Sequence, residues 1–224
     1  MKKIYQEVIF IMRKYQKSLL DPSEVAVLLI DHEPQMFFAV EGACRNAILN
    51  AVTGLAKTAQ VFQIPIVLST VEAKSFSGPL VSKVQTVYPD LRPIDRTTLN
   101  AWEDADFLSA VKQTKKKKLL IAGLWTEVCV TLPALSAIED GYEVYVVADA
   151  SAGSSKQAHQ AAIQRMIQAG AKPVTWQAAL LEMQRDWANK ETYQAVMAVV
   201  KEHGGAYGIG AEYVEAMIPQ PNSN

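Results

Sequence analysis

Lys118-Leu119-Leu120-Ile121-Ala122-Gly123-Leu124-Trp125-Thr126-Glu127-Val128-Cys129-Val130 is the stretch that decides the fold. Its first half is an apolar run, Leu119–Leu124, of the kind that forms a parallel strand buried on both faces. Its second half opens a helical pattern over Val130–Asp140, which stops at Gly141, a suitable C-terminal glycine. Cys129 therefore lies in the first turn of a helix, just past a strand's carboxyl end. Free peptide N–H groups and the helix dipole favour a thiolate there and are expected to lower its pKa. Nearby amides can also hold an oxyanion.

Working outward, the same alternation repeats. Strands are expected over Val25–Ile30, Ile66–Ser69, Val144–Ala148 and Pro173–Thr175. Helices are expected over Asn46–Gln63, Asp104–Thr114, Lys156–Ala169, Gln177–Gln184 and Glu191–Glu202. Alternating strands and helices give an α/β fold: a three-layer α/β/α, doubly wound sandwich with a mainly parallel sheet, joined by right-handed crossovers. Ligands of such sheets sit at the carboxyl ends of the strands, at the switch in strand order. Asp31 and Cys129 both follow strand ends, so they share one crevice if their strands are neighbours. Asp31-His32-Glu33-Pro34 replaces any glycine-rich dinucleotide loop, and no phosphate-binding loop motif occurs elsewhere.

Residues 71–103 form the main irregular stretch, and loops of that length are usually functional. Residues 1–20 read as an amino-terminal amphipathic helix, 21–203 as the main domain and 204–224 as a carboxy-terminal arm without a clear core. Ile9, Phe10, Met12 and Leu19 at one end, and Tyr207, Ile209, Tyr213, Val214, Met217 and Ile218 at the other, would expose apolar patches in a monomer. A homo-oligomer is therefore expected.

Composition narrows the function. The 224 residues carry 22 basic and 23 acidic side chains, a net charge of −1, which gives no electrostatic reason to expect nucleic acid. Lys115–Lys118 reads as a solvated loop at a helix end. Nothing approaches the ~20 apolar residues of a membrane span, and the amino terminus lacks a signal-peptide pattern. Two cysteines build no disulfide framework and fit a reducing cytoplasm. No Cys/His cluster suggests zinc, so neither metal nor other cofactor is expected.

Val27–Asp31 and Ala122–Val130 resemble the two signature segments of the isochorismatase-like cysteine hydrolases, and the resemblance is strongest to the YcaC-like branch. It extends through Asp31-His32, Arg96 to Trp102, Pro133–Glu139, Val147–Ser151 and Arg185–Trp187, covering about residues 22–190. It implies an Asp–Lys–Cys triad, onto which Asp31 and Cys129 map directly. Arg96 stands where the family has lysine. An arginine can support a thiolate but stays protonated and cannot shuttle protons. Outside a site, Arg96 would form a surface ion pair with Asp95 or Glu103. The resemblance also implies a cis bond at Leu124–Trp125 and an oxyanion hole from the Trp125 and Cys129 amides. His32, Trp102 and Trp125 are candidate pocket residues. Trp125 reads equally as a core side chain, and His32 as a satisfied polar residue. Zinc-dependent relatives carry an Asp-x-His-x-x-His pattern after the second strand, where Ser69–Ser75 has no histidine.

The function implied is metal-independent hydrolysis of an amide or related C–N or C–O bond of a small molecule. The competing readings are a non-catalytic small-molecule-binding or scaffold protein, and a redox-active thiol protein.

Overall fold

A computed structural model describes residues 19–218. Of the amino-terminal helix expected over residues 1–20, residues 1–18 lie outside that range, and Leu19 and Leu20 are not helical. In chain order the elements are β1 (Val25–Ile30), α1 (Pro34–Phe38), α2 (Arg45–Val61), β2 (Ile66–Val71), α3 (Ser82–Gln85), β3 (Ile94–Arg96), α4 (Ala105–Gln113) and β4 (Lys118–Gly123). Then follow α5 (Thr131–Glu139), β5 (Glu143–Val147), α6 (Lys156–Gln168), β6 (Lys172–Val174), α7 (Trp176–Gln184), α8 (Lys190–His203) and α9 (Ala206–Met217).

The strands form one six-stranded parallel sheet in the order β3-β2-β1-β4-β5-β6. Every residue of β1 and β4 is buried, as the apolar runs Val25–Ile30 and 119–123 require, and Lys118 at the start of β4 is buried with them. Alternation then divides each strand between two cores. Val25, Val27 and Leu29 pack with Val52, Leu55, Leu180 and Val200 on one face. Ala26, Leu28 and Ile30 pack with Phe107, Val130, Ala134 and Met166 on the other. This is the three-layer sandwich expected from the sequence.

β1 lies beside β4, with Ile30 opposite Gly123, and the strand order switches direction between them. Here the backbones come very close. A Cβ on Gly123 would stand 2.6 Å from the Ile30 carbonyl oxygen, so only glycine fits. The carboxyl ends of these two strands form the crevice that doubly wound sheets use for ligands.

Two regions depart from expectation. β3 lies inside the stretch read as irregular: Ser69, Thr70 and Val71 pair with Ile94, Asp95 and Arg96. The tail beyond Gly204 carries a helix, α9, that packs on α8 but buries only Gly208. Gly208 makes that crossing possible, since a Cβ there would meet the Val200 carbonyl oxygen at 2.5 Å. The outer face of α9 remains apolar and exposed, with Ile209 70%, Tyr213 63% and Met217 62% accessible.

Candidate active site

Three strand ends supply the polar side chains at the switch point. Asp31 follows β1 directly and takes a left-handed backbone, φ 57°, which is uncommon outside glycine. Its N–H donates to the Ser69 carbonyl oxygen at 3.0 Å, fixing the turn to β2. Arg96 ends β3 and donates from Nη2 to Asp31 Oδ2 at 2.7 Å. Its Nη1 donates to the Thr98 carbonyl oxygen. Both side chains are fully buried. The alternative surface pair with Asp95 does not form, because Asp95 Oδ1 accepts from Thr70 Oγ1 and the Ala73 N–H, each at 3.0 Å.

Cys129 comes from the segment after β4. Thr126–Val130 form a π-helical turn that leads into α5. The Thr126 N–H donates to the Ala152 carbonyl oxygen at 3.0 Å, and its hydroxyl pairs with His159 Nδ1 at 2.8 Å. Thr131 Oγ1 donates to the Thr126 carbonyl oxygen at 2.6 Å. Glu127 Oε1 accepts from the N–H and hydroxyl of Ser154 at 2.9 and 2.6 Å. The Thr126-Glu127 pair is thus the clamp that holds the cysteine turn to the loop after β5. His159, half-buried, is part of that clamp, and His203 is buried and paired with Asn50.

The thiol sits 3% exposed beside Asp31. Asp31 Oδ1 has no hydrogen-bond partner among the described residues, and the carboxyl and the thiol influence each other's ionisation. The expectation of a lowered thiol pKa fails. Burial first, then the charge of Asp31, pushes the Cys129 thiol well above its ordinary range, and the more distant pull of Arg96 does not offset them. Burial also raises the Asp31 carboxyl to about 6, against the opposing pull of Arg96. At neutral pH the resting pair is therefore a thiol facing a mostly ionised carboxylate.

The Leu124–Trp125 bond is cis. Trp125 packs against the core with its indole N–H donating to the Met36 carbonyl oxygen at 3.0 Å. The paired oxyanion donors expected at Trp125 and Cys129 are not both free. The Cys129 N–H already donates to the Trp125 carbonyl oxygen at 2.9 Å, as the helical turn demands. Trp102 is not a pocket wall either. It packs edge-on against Phe107 and Tyr142, and its indole N–H donates to Asp140 at 2.8 Å. His32 is fully buried, with Nε2 donating to the Ala150 carbonyl oxygen at 2.9 Å. A carbonyl only accepts, so the tautomer is fixed with Nδ1 unprotonated. Burial lowers its pKa to about 4, keeping it neutral.

Glu33 was missed in the sequence, where it reads as a turn residue before Pro34. It is fully buried and accepts from the Val71 N–H at 3.1 Å through Oε2. Among the described residues, no group of three or more His, Cys, Asp or Glu side chains is placed to hold a metal ion, and no helix is long and apolar enough to cross a membrane.

Asp31, Arg96 and Cys129 thus meet at the switch point of a doubly wound parallel α/β sheet, and comparison with known proteins gives the family. The isochorismatase domain family matches residues 25–178, and the chain belongs to that family, in its YcaC-like branch. The Escherichia coli (strain K12) protein named Probable hydrolase YcaC is 42% identical over 171 residues, 76% of this chain and 82% of its own length. The crystal structure of E. coli YcaC, described as an octameric hydrolase of unknown specificity, aligns with TM-score 0.85 and 37% identity, covering 89% of this chain and 98% of that one. YcaC from Pseudomonas aeruginosa, solved with hexane-2,5-diol and covalent acrylamide, aligns with TM-score 0.84 and 36% identity over the same shares.

Proposed function

We propose that the protein is a cysteine hydrolase that works without a metal and cleaves an amide or related C–N or C–O bond of a small molecule through a thioester on Cys129. The observation that carries this reading is the buried chain Arg96–Asp31–Cys129 at the β1/β4 switch point. Arg96 occupies Asp31 Oδ2 and leaves Oδ1 to the thiol. Oδ1 takes the S–H proton as sulfur attacks the carbonyl carbon, and an oxyanion forms. The Trp125 N–H, which has no acceptor among the described residues, is its donor. The intermediate collapses, the protonated Asp31 gives its proton to the departing nitrogen or oxygen, and the thioester remains. Water, deprotonated by Asp31, then releases the acid and restores the thiol.

This order suits the resting protonation states. A thiol held neutral by burial needs a base at the moment of attack rather than a standing thiolate. Arg96 is the electrostatic partner of that base, since an arginine does not exchange protons at neutral pH.

Closure of the site favours a second reading, a binding or scaffold protein of the same fold. Cys129 is 3% exposed, so a substrate needs an opening that one chain does not offer. Assembly answers this within the hydrolase reading. We take the chain to form a homo-oligomer, as the E. coli relative is octameric and α9 presents an uncovered apolar face. Two free cysteines fit a cytoplasmic location.

The test is intact mass after incubation with a panel of small carbonamides, comparing wild type with Cys129→Ala. A mass increase equal to the acyl group, present in wild type and absent in Cys129→Ala, is expected. Turnover retained by Cys129→Ala would overturn the thioester route. No adduct and no turnover on any substrate, with ligand binding retained, would favour the binding protein.

A further inference from the structure

We propose that Glu33 is a positioning residue that works as a neutral carboxylic acid, fastening the β2 end to the β1 end while leaving the Arg96 guanidinium to Asp31 alone; this rests on the hydrolase reading above.

The geometry supplies the fastening. Glu33 lies two residues past Asp31, and its N–H donates to the Asp31 carbonyl oxygen at 2.9 Å. Its Oε2 accepts from the Val71 N–H. Val71 is the last residue of β2 and pairs with Arg96. The next N–H, that of Glu72, donates to the Arg96 carbonyl oxygen at 2.9 Å. A single side chain thus links the backbone beside the base to the backbone that carries its cation.

The charge argument follows from what surrounds it. The charged groups acting on Glu33 are Asp31 from the β1 end and Asp95 and Arg96 from β3. Neighbouring His32 is neutral. Arg96 is already committed to Asp31 and to the Thr98 carbonyl oxygen. Glu33 Oε1 and Arg96 Nε both lack partners among the described residues, though both are buried. An ionised Glu33 would be a second carboxylate competing for one guanidinium, with an N–H of that guanidinium unclaimed. Burial, with Asp31 and Asp95 adding to it, raises the Glu33 carboxyl to about 8, so at neutral pH it keeps its proton. Above that pH it ionises, draws on Arg96 and weakens the hold on Asp31.

The experiment measures the rate of acrylamide addition to Cys129 by intact mass, from about pH 6 to about pH 9, comparing the protein with its Glu33→Gln variant, both carrying Cys44→Ser. Glutamine preserves the shape and cannot ionise. The ratio of the Glu33→Gln rate to the Glu33 rate should be near one at pH 6. It should reach about tenfold at pH 9, since only about a tenth of the carboxyl stays protonated one unit above its pKa. A ratio independent of pH overturns the proposal. An infrared titration of the protein with Glu33 intact needs no variant. The carbonyl stretch of a neutral carboxylic acid should disappear with a midpoint near 8. Asp31 loses its own band near pH 6, so if no carbonyl band is lost with a midpoint near 8, Glu33 is not held neutral and the proposal falls. Were Cys129 to give no adduct in either protein while the band titrates as expected, Glu33 would stand and the thioester reading would fail.

Discussion

The two cysteines sit in comparable places along the chain and in opposite environments. Cys44 is the N-cap residue of the 17-residue helix α2, exposed, and lines a cavity of about 220 Å³ with Lys156 and His159. Cys129 also lies at a helix start, in the π-helical turn before α5, but it is closed in behind Asp31 and Arg96. By the helix-dipole argument alone the two thiols should behave alike. Cys129 departs from that argument, because burial and an adjacent carboxylate act on its thiol more strongly than oriented peptide dipoles do. On the proposed mechanism, Cys129 is marked as the nucleophile by the carboxylate beside it, not by its helix.

The sharpest way to break that conclusion is to remove the base. Asp31→Asn keeps the volume and should lower hydrolytic kcat by about 10²–10⁴-fold, the usual contribution of a positioned proton acceptor. Full kcat in Asp31→Asn would mean that the helix start suffices after all. At the other end of the pair, Arg96→Ala leaves a buried carboxylate alone and should cost about 3–5 kcal/mol in stability by denaturant unfolding. Arg96→Lys should recover most of that stability and keep activity, because it restores the charge. If the lysine variant behaves like the alanine one, the planar two-pronged contact to Asp31 Oδ2 and Thr98 is what matters, not the charge.

How much of this was legible in the sequence depends on length and on burial. β1 is a six-residue apolar run and β4 has five such residues after Lys118, so both strands, with Asp31 and Cys129 beyond their ends, followed from pattern, whereas their adjacency came only with the structure. β3 is three residues, Ile94-Asp95-Arg96, too short for any periodicity and polar at two positions. It was hidden inside a loop, although Arg96 itself was marked by the family pattern. α9 lay in the arm read as lacking a clear core, and its Gly208, which carries no apolar side chain, serves close helix packing. Glu33 carried no signal beyond a carboxylate two residues from Asp31. Its burial is a property of β2 and β3 closing over it. The direction of the Cys129 shift was missed for the same reason: the dipole term is local in sequence, while the desolvation comes from residues far along the chain.

Labelling tests the contrast between the cysteines themselves. With iodoacetamide at about pH 7, Cys44 should react at least about tenfold faster than Cys129, because the attacking species is the accessible thiolate. Peptide mapping of both sites gives the ratio. Faster labelling of Cys129 would show that the site opens readily and that its thiol ionises despite the neighbouring carboxylate.

The smallest effect is expected at the outer face of α9, where several apolar side chains lack cover. Ile209, Tyr213 and Met217 stand on that face, and a core role for them is ruled out by exposures above 60%. Replacing Ile209 with Glu should therefore alter the stability of a single folded chain by no more than about 0.5 kcal/mol. The same change places a charge where a second copy would press, and should shift the assembly toward smaller species in sedimentation at micromolar concentration. Wild type running as a 24.6 kDa monomer would remove the assembly outright. Unchanged assembly in Ile209→Glu would move the contact to another surface. If smaller species also label Cys129 faster, the closed site opens when subunits part. If they label it more slowly, a neighbouring subunit helps expose or activate the thiol, and the site is complete only in the oligomer.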